Sequence, residues 1–259
     1  MSAAVPSGPL LLLSPHLDDA ALSCGALLDR AEPITVHDVF THRPDPEQFT
    51  VWDRHCGFEG SNAAMTARWA EEQAAFAGSR HVVEALDLLD GQYLAGMRTD
   101  DDRRRITRRL DAWLDAHAGT AAPVVVVPVG AGTPLGLDAP FRARLRARRA
   151  GTFAFSNSPD HLFVRDTVLE HLRARGAALW CYDEFPYHYA LDGAHVVPAL
   201  ERWLGRTAVA HDLPVDRGAK AGRIAAYTSQ LPKLFRSVEV AEIERLLPPA
   251  ERYWELRAG

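Results

Sequence analysis

The sequence predicts an α/β protein, a Rossmann-like open and mostly parallel sheet with helices on both faces. Three observations predict it. Short β-branched or aliphatic runs alternate with amphipathic stretches, the order that βαβ units produce. Two of the runs, at Leu10–Ser14 and Val124–Val129, are apolar almost throughout, as strands buried on both faces are. The first run ends at a dense polar cluster, and in such sheets ligands sit outside the carboxyl ends of the strands.

In chain order, Leu10–Ser14 is the first strand. Asp19–Arg30 reads as a helix with Asp18 or Asp19 near its start and Gly25 inside it. Ile34–Phe40 is β-branched and forms a second strand. Thr41–Ser61, rich in Pro, Gly and charge, is a long loop of the kind kept for function. Asn62 is a fair N-cap for a helix over Ala63–Ala77. His81–Leu86 is a third strand, followed by a turn at Asp90-Gly91. Asp100–Ala116 is a helix whose acidic first turn and later arginines suit the helix dipole. Val124–Val129 is a strand, Pro159–Arg173 a helix and Ala177–Cys181 a strand. Lys220–Leu231 and Ala241–Leu247 read as helices and Tyr253–Leu256 as a short last strand. With no repeat, linker or boundary, residues 1–259 are expected to form a single domain.

The composition narrows the function. A hydrophobic share of 47% supports a sizeable core, and 29 basic against 34 acidic residues leave a net charge of −5. A slightly acidic surface does not suit a general nucleic-acid or anionic-membrane binder. Cys24, Cys56 and Cys181 are widely spaced, which disfavours a disulfide framework or a cysteine zinc knuckle. No stretch reaches the ~18 apolar residues of a membrane span, and no basic leader or cleavage site is visible. The expected location is cytoplasmic.

His16, Asp18 and Asp19 fall within four residues at the end of a buried strand. A plain strand-to-helix turn, with Asp18 as N-cap and His16 bonded to a carbonyl, would place that much polar chemistry there for little return. A metal site divides the labour: His16 and one carboxylate hold the ion, and the other carboxylate takes a proton from a water made acidic beside it. Catalytic zinc has three protein ligands, and His161 in Ser158-Pro159-Asp160-His161 is the best third, with Asp160 available to orient a ring.

These residues resemble the LmbE-like, or PIG-L, zinc-dependent deacetylases, which remove acetyl groups from N-acetylglucosamine-type amides. The P-H-x-D-D signature is matched by Pro15-His16-Leu17-Asp18-Asp19, and the last three positions of H-P/V-D-H by Pro159-Asp160-His161. Weaker similarities follow in the same order along the chain: Arg68-x-x-Glu71, Asp90-Gly91, Tyr182 to Tyr187, Lys220, Tyr227-x-Ser229-Gln230 and Glu251 to Trp254. The resemblance implies that His16, Asp19 and His161 bind Zn2+ or another divalent metal and that Asp18 is the general base. It implies that Arg68, Asp90 and Ser158 face the substrate, an amino sugar, glycoside or related small metabolite. Plainer readings are an ion pair of Arg68 with Glu71 and a simple turn at Asp90.

One departure stands out. Ser158 replaces the first His of H-P-D-H, to which the resemblance gives the oxyanion or the leaving amine. Losing such a donor costs about 2.7–4 kcal/mol of transition-state stabilisation. His188, Tyr187 and His42 are candidate substitutes. The alternatives are the same metal site acting on a different C–N bond in secondary metabolism, and a metal-binding homologue without deacetylase activity. A homo-oligomer is compatible with the sequence.

Two further features have plain readings. Arg142, Arg144, Arg146, Arg148 and Arg149 form a basic run, read as a solvated face. Gly130-Ala131-Gly132 with Gly136 resembles a dinucleotide fingerprint, but the spacing is wrong and Pro134 and Pro140 interrupt the helix it needs. A loop bending close to the site explains those glycines better.

Overall fold

A computed structural model describes residues 6–119, 122–132, 159–173, 175, 177–189, 191–235 and 239–258. Ser158, the arginine run over 142–149, Pro134, Gly136 and Pro140 lie outside the described residues.

A seven-stranded sheet organises the described residues. Its strands are β1 (Leu10–Ser14), β2 (Thr35–Asp38), β3 (Val82–Ala85), β4 (Val124–Pro128), β5 (Ala178–Tyr182), β6 (Arg206–Pro214) and β7 (Ala250–Ala258). The spatial order is β3-β2-β1-β4-β5-β7-β6. β3, β2, β1, β4 and β5 run parallel, and β7 is antiparallel to both β5 and β6. The chain winds outward from β1 through β2 and β3, then restarts at β4 on the other side. The crevice between the carboxyl ends of β1 and β4 is therefore the topological switch point, where open α/β sheets bind ligands.

Both faces of the central strands are buried, which explains their unbroken apolar runs. Leu11, Leu13, Val125 and Val127 pack on one face, and Leu10, Leu12, Val124 and Val126 on the other. Each such side chain contributes roughly 1.5–3 kcal/mol on full burial.

The helices are α1 (Asp19–Ser23), α2 (Gly25–Leu28), α3 (Val51–His55), α4 (Ser61–Ala75), α5 (Asp100–Ala116), α6 (Pro159–Leu172), α7 (Gly193–Leu204), α8 (Arg217–Ile224), α9 (Leu231–Leu234) and α10 (Val240–Leu246). Several differ from expectation for identifiable reasons. The helix expected over Asp19–Arg30 is two pieces, because the Gly25 and Ala26 amides turn to the Glu251 carboxylate at 2.9 and 2.8 Å. α4 starts at Ser61 rather than Ala63, since Glu47 takes the Asn62 amide at 3.1 Å and caps it from another segment. α8 starts earlier than Lys220, at Arg217, because the Asp216 side chain caps it by accepting from the Ala219 amide. The last strand is longer than Tyr253–Leu256 because it pairs along its length with β6, an element that the sequence pattern does not reveal.

No helix among the described residues is long and apolar enough to cross a membrane.

Candidate metal centre

At the end of β1 the chain turns sharply. The Ser14 hydroxyl donates to the His16 carbonyl at 2.7 Å and accepts from the Ala20 amide at 3.2 Å, tying the turn to α1. Asp18 occupies the N-cap position of α1, but its side chain makes no capping bond. Its backbone has φ 131°, which an L-residue adopts only at a cost of order 1–3 kcal/mol. The turn therefore aims the carboxylate elsewhere, and Asp18 lines a cavity of about 740 Å³. The simple-turn reading of this cluster does not describe what is seen.

His16 and Asp19 meet His161 in the same place. Asp19 Oδ2 accepts from the His16 amide at 2.8 Å, and lies 3.3 Å from His16 Nδ1 and 3.2 Å from His161 Nε2. The three residues offer two imidazole nitrogens and a carboxylate oxygen, all within 4.8 Å of one another. His161 Nε2 is buried and makes no hydrogen bond. An orphaned buried ring nitrogen facing a carboxylate fits a divalent metal, and nitrogen with oxygen donors is a set that zinc accepts.

Each ring is held from its far side. Asp160 does orient a ring, but it is His16, whose Nε2 lies 3.2 Å from Asp160 Oδ2. His161 Nδ1 faces Glu184 Oε1 at 3.3 Å instead. The Glu184 carboxylate also accepts from the amides of Gly130 and Ala131, both at 2.9 Å. Gly130 has φ +86°, and a Cβ there would lie 2.6 Å from Leu162 Cδ2, so the bend after β4 requires glycine. The glycine loop thus bends to the site, as read from the sequence, and its task is to hold Glu184.

Arg68 on α4 is buried. Its Nη1 lies 3.5 Å from Asp90 Oδ2 and its Nη2 donates to the Leu17 carbonyl at 3.2 Å. Glu71 points to Ser229 and Thr228, so an Arg68–Glu71 ion pair does not form. Asp90 caps the 3-10 turn Gly91–Tyr93 through the Gln92 amide, and its Oδ1 sits 3.8 Å from His16 Nε2. Arg68 and Asp90 both line the cavity with His16, Asp18 and Asp19. The loop over 41–61 supplies another wall: Trp52 on α3, held by its Nε1 bond to Gln230 Oε1 at 3.0 Å.

The fields in this crevice are strong. Burial and the neighbouring Asp19 charge push the Asp18 carboxyl up to about 7, against the pull of Arg68 and the two imidazoles. Burial alone would raise Asp19, but His161 and His16 hold it well below the usual carboxylate range. Burial would lower His161, yet Asp19 and Glu184 raise it to about 9.

Among the three candidate substitutes for the missing histidine, Tyr187 lines the cavity and packs edge-on against the His161 ring, with centroids 5.5 Å apart. His188 turns its Nδ1 to the Glu184 carbonyl and lines a separate cavity of about 340 Å³. His42 pairs with Asp87 at 2.8 Å on the surface. Glu184 and Arg98 are parts of the site that sequence reasoning did not pick out. Glu184 stood inside a motif already noted; Arg98 carried no signal.

No protein-family model matches the chain, and no curated protein matches it. Solved structures do. The zinc-inhibited form of teicoplanin deacetylase Orf2 superposes with a TM-score of 0.67 at 19% identity, over 97% of this chain and 99% of the other. The A40926 pseudoaglycone deacetylase Dbv21 superposes with 0.66 at 22% identity, over 96% of each chain. GalB, the 4-carboxy-2-hydroxymuconate hydratase of Pseudomonas putida KT2440, superposes with 0.53 at 14% identity, over 96% of each chain. The chain has the α/β fold of these deacetylases along nearly its whole length.

Proposed function

We propose that this protein is a metal-dependent amide hydrolase that removes an N-acetyl group from an amino sugar, glycoside or related small metabolite. The observation that carries the reading is the buried, unpartnered Nε2 of His161, held 3.2 Å from Asp19 Oδ2 by Glu184 behind the ring. His16, Asp19 and His161 would hold the ion, with zinc the best match to two imidazoles and a carboxylate. A divalent metal bound there supplies a Lewis acid for a carbonyl oxygen and makes water more acidic.

The chain's own groups support the rest. Asp18 lines the cavity beside His16 and Asp19, so its carboxylate can take a proton from the attacking water and return it to the departing amine nitrogen. Arg68 offers guanidinium donors and Asp90 carboxylate acceptors to the hydroxyls of a polar substrate in the same cavity. Ser158 is assigned to the substrate side on its position in the motif alone. The Tyr187 phenol, whose pKa burial pushes well up, stays protonated and can donate to a developing oxyanion in place of the expected histidine.

The cavity also has apolar walls, among them Leu22, Trp52, Leu94, Met97 and Phe185. They favour an amino sugar that carries an apolar or aromatic group over a bare monosaccharide. One structural neighbour was solved as a deacetylase–teicoplanin complex. Three free cysteines and the absence of a spanning helix among the described residues support a cytoplasmic location.

The test is Asp18→Asn, assayed for acetate release from N-acetylglucosaminyl substrates alongside metal analysis. Turnover should fall at least 10²-fold, the low end of general-base contributions, with metal content retained. Wild-type protein that binds no divalent metal, or a variant that keeps full activity, overturns the reading.

A further inference from the structure

His16 belongs to two sets of metal-capable groups. One is His16, Asp19 and His161; the other is His16, Asp90 and Asp160, and in each the donor atoms lie within 4.8 Å of one another. The two sets use opposite sides of one imidazole. Asp19 lies by Nδ1, whereas Asp160 and Asp90 lie by Nε2 at 3.2 and 3.8 Å. Something must decide which side receives the ion.

The second set is already neutralised. Arg98 grips Asp160 Oδ1 with Nη2 at 2.5 Å and Nε at 3.2 Å, and Arg68 stands 3.5 Å from Asp90 Oδ2. Among the described residues no lysine or arginine pairs with Asp19. A cation placed at the second set would sit between two fixed guanidinium charges, which like-charge repulsion disfavours in a low-dielectric crevice.

Arg98 is also built in rigidly. Its Nη1 donates to the Leu89 carbonyl at 2.5 Å, and its guanidinium lies 3.9 Å from the centre of the Phe40 ring. Only a tenth of its side chain is exposed. Because the fork occupies Oδ1, Asp160 Oδ2 is left to the Gly91 amide at 2.8 Å and to His16 Nε2. A Cβ on residue 91 would lie 2.8 Å from both Asp160 oxygens, so glycine there permits the approach.

We propose that Arg98 is a positioning residue of the metal centre: through Asp160 it sets the His16 ring with Nδ1 toward Asp19 and His161, and with Arg68 it closes the His16, Asp90 and Asp160 set to cations. The inference rests on the reading that His16, Asp19 and His161 hold a divalent metal.

The experiment measures zinc stoichiometry by metal analysis and affinity by chelator competition, for wild type, Arg98→Gln and Arg98→Lys. Melting of each apo protein reports folding separately. Arg98→Gln should weaken the first equivalent about 10–100-fold, the usual effect of losing an outer-shell partner. It should also let zinc occupy the His16, Asp90 and Asp160 set in competition with the first, a share that disappears when Asp90→Asn is added. Arg98→Lys keeps the charge but loses the fork, so it should bind a single equivalent with intermediate affinity. If Arg98→Gln does not fold, the lysine variant decides, and wild-type affinity in it overturns the proposal. A folded Arg98→Gln that binds one zinc as tightly as wild type also overturns it, while the metal-hydrolase reading stands. Wild type that takes up no zinc overturns both.

Discussion

Glu184 and His161, 23 residues apart in sequence, form a fully buried pair with Oε1 3.3 Å from Nδ1. The carboxylate has no freedom to drift, because the Gly130 and Ala131 amides hold it from behind. One ring nitrogen is thereby committed, and the other is presented to Asp19. Partners of this kind fix both the tautomer and the orientation of a ligand imidazole.

Glu184→Gln should therefore weaken zinc binding by roughly 10-fold or more, as loss of an outer-shell carboxylate does. The amide side chain retains one oxygen for the loop amides, so melting should change less than metal affinity. Chelator competition and thermal melts on the same preparation check this. Unchanged affinity would show that the loop and not the charge positions the ring.

Buried His37 sets an acid limit on stability. Burial, with Arg109 nearby, outweighs the pull of Glu84 and lowers its pKa to about 4. The unfolded chain takes up a proton below the ordinary value of about 6.5, but the folded chain does not until about 4. The contribution is thus fully present above pH ~6.5 and is lost as the pH falls through that window, about 3 kcal/mol in all. Denaturant unfolding of wild type and His37→Gln at several pH values should show the difference between them shrinking toward pH 4. A difference independent of pH would contradict the assignment.

Lys220 and Glu251 form a buried ion pair at 2.5 Å, and Glu251 also accepts from Tyr253 and from the first amides of α2. Lys220→Met leaves that carboxylate without its cation and should cost about 3–5 kcal/mol. Lys220→Met with Glu251→Gln removes both charges and should recover much of the loss. Urea midpoints of the two variants measure it; equal losses in both would argue against charge burial as the cause.

The loop at the end of β1 is legible from sequence because its parts are neighbours: His16, Asp18 and Asp19 fall within four residues, and the apolar run before them marks the strand end. The parallel half of the sheet is legible for a similar reason, since strands buried on both faces must be apolar throughout. β6 escapes that logic. It is an edge strand with mixed burial, and its residues alternate too loosely to announce a strand.

Sequence by itself determined the α/β class, the position of the polar cluster at a strand end and the chemical types able to hold a metal there. All of that depends on local periodicity and on groups close along the chain. Tertiary structure decided which carboxylate faces which ring. Asp160 adjoins His161 in sequence, yet it holds His16, because successive residues at a helix start point in different directions. Glu184, Arg98 and the Gly91 amide reach the site from other strands and loops. Their roles depend on distances across the crevice, which no spacing along the chain encodes.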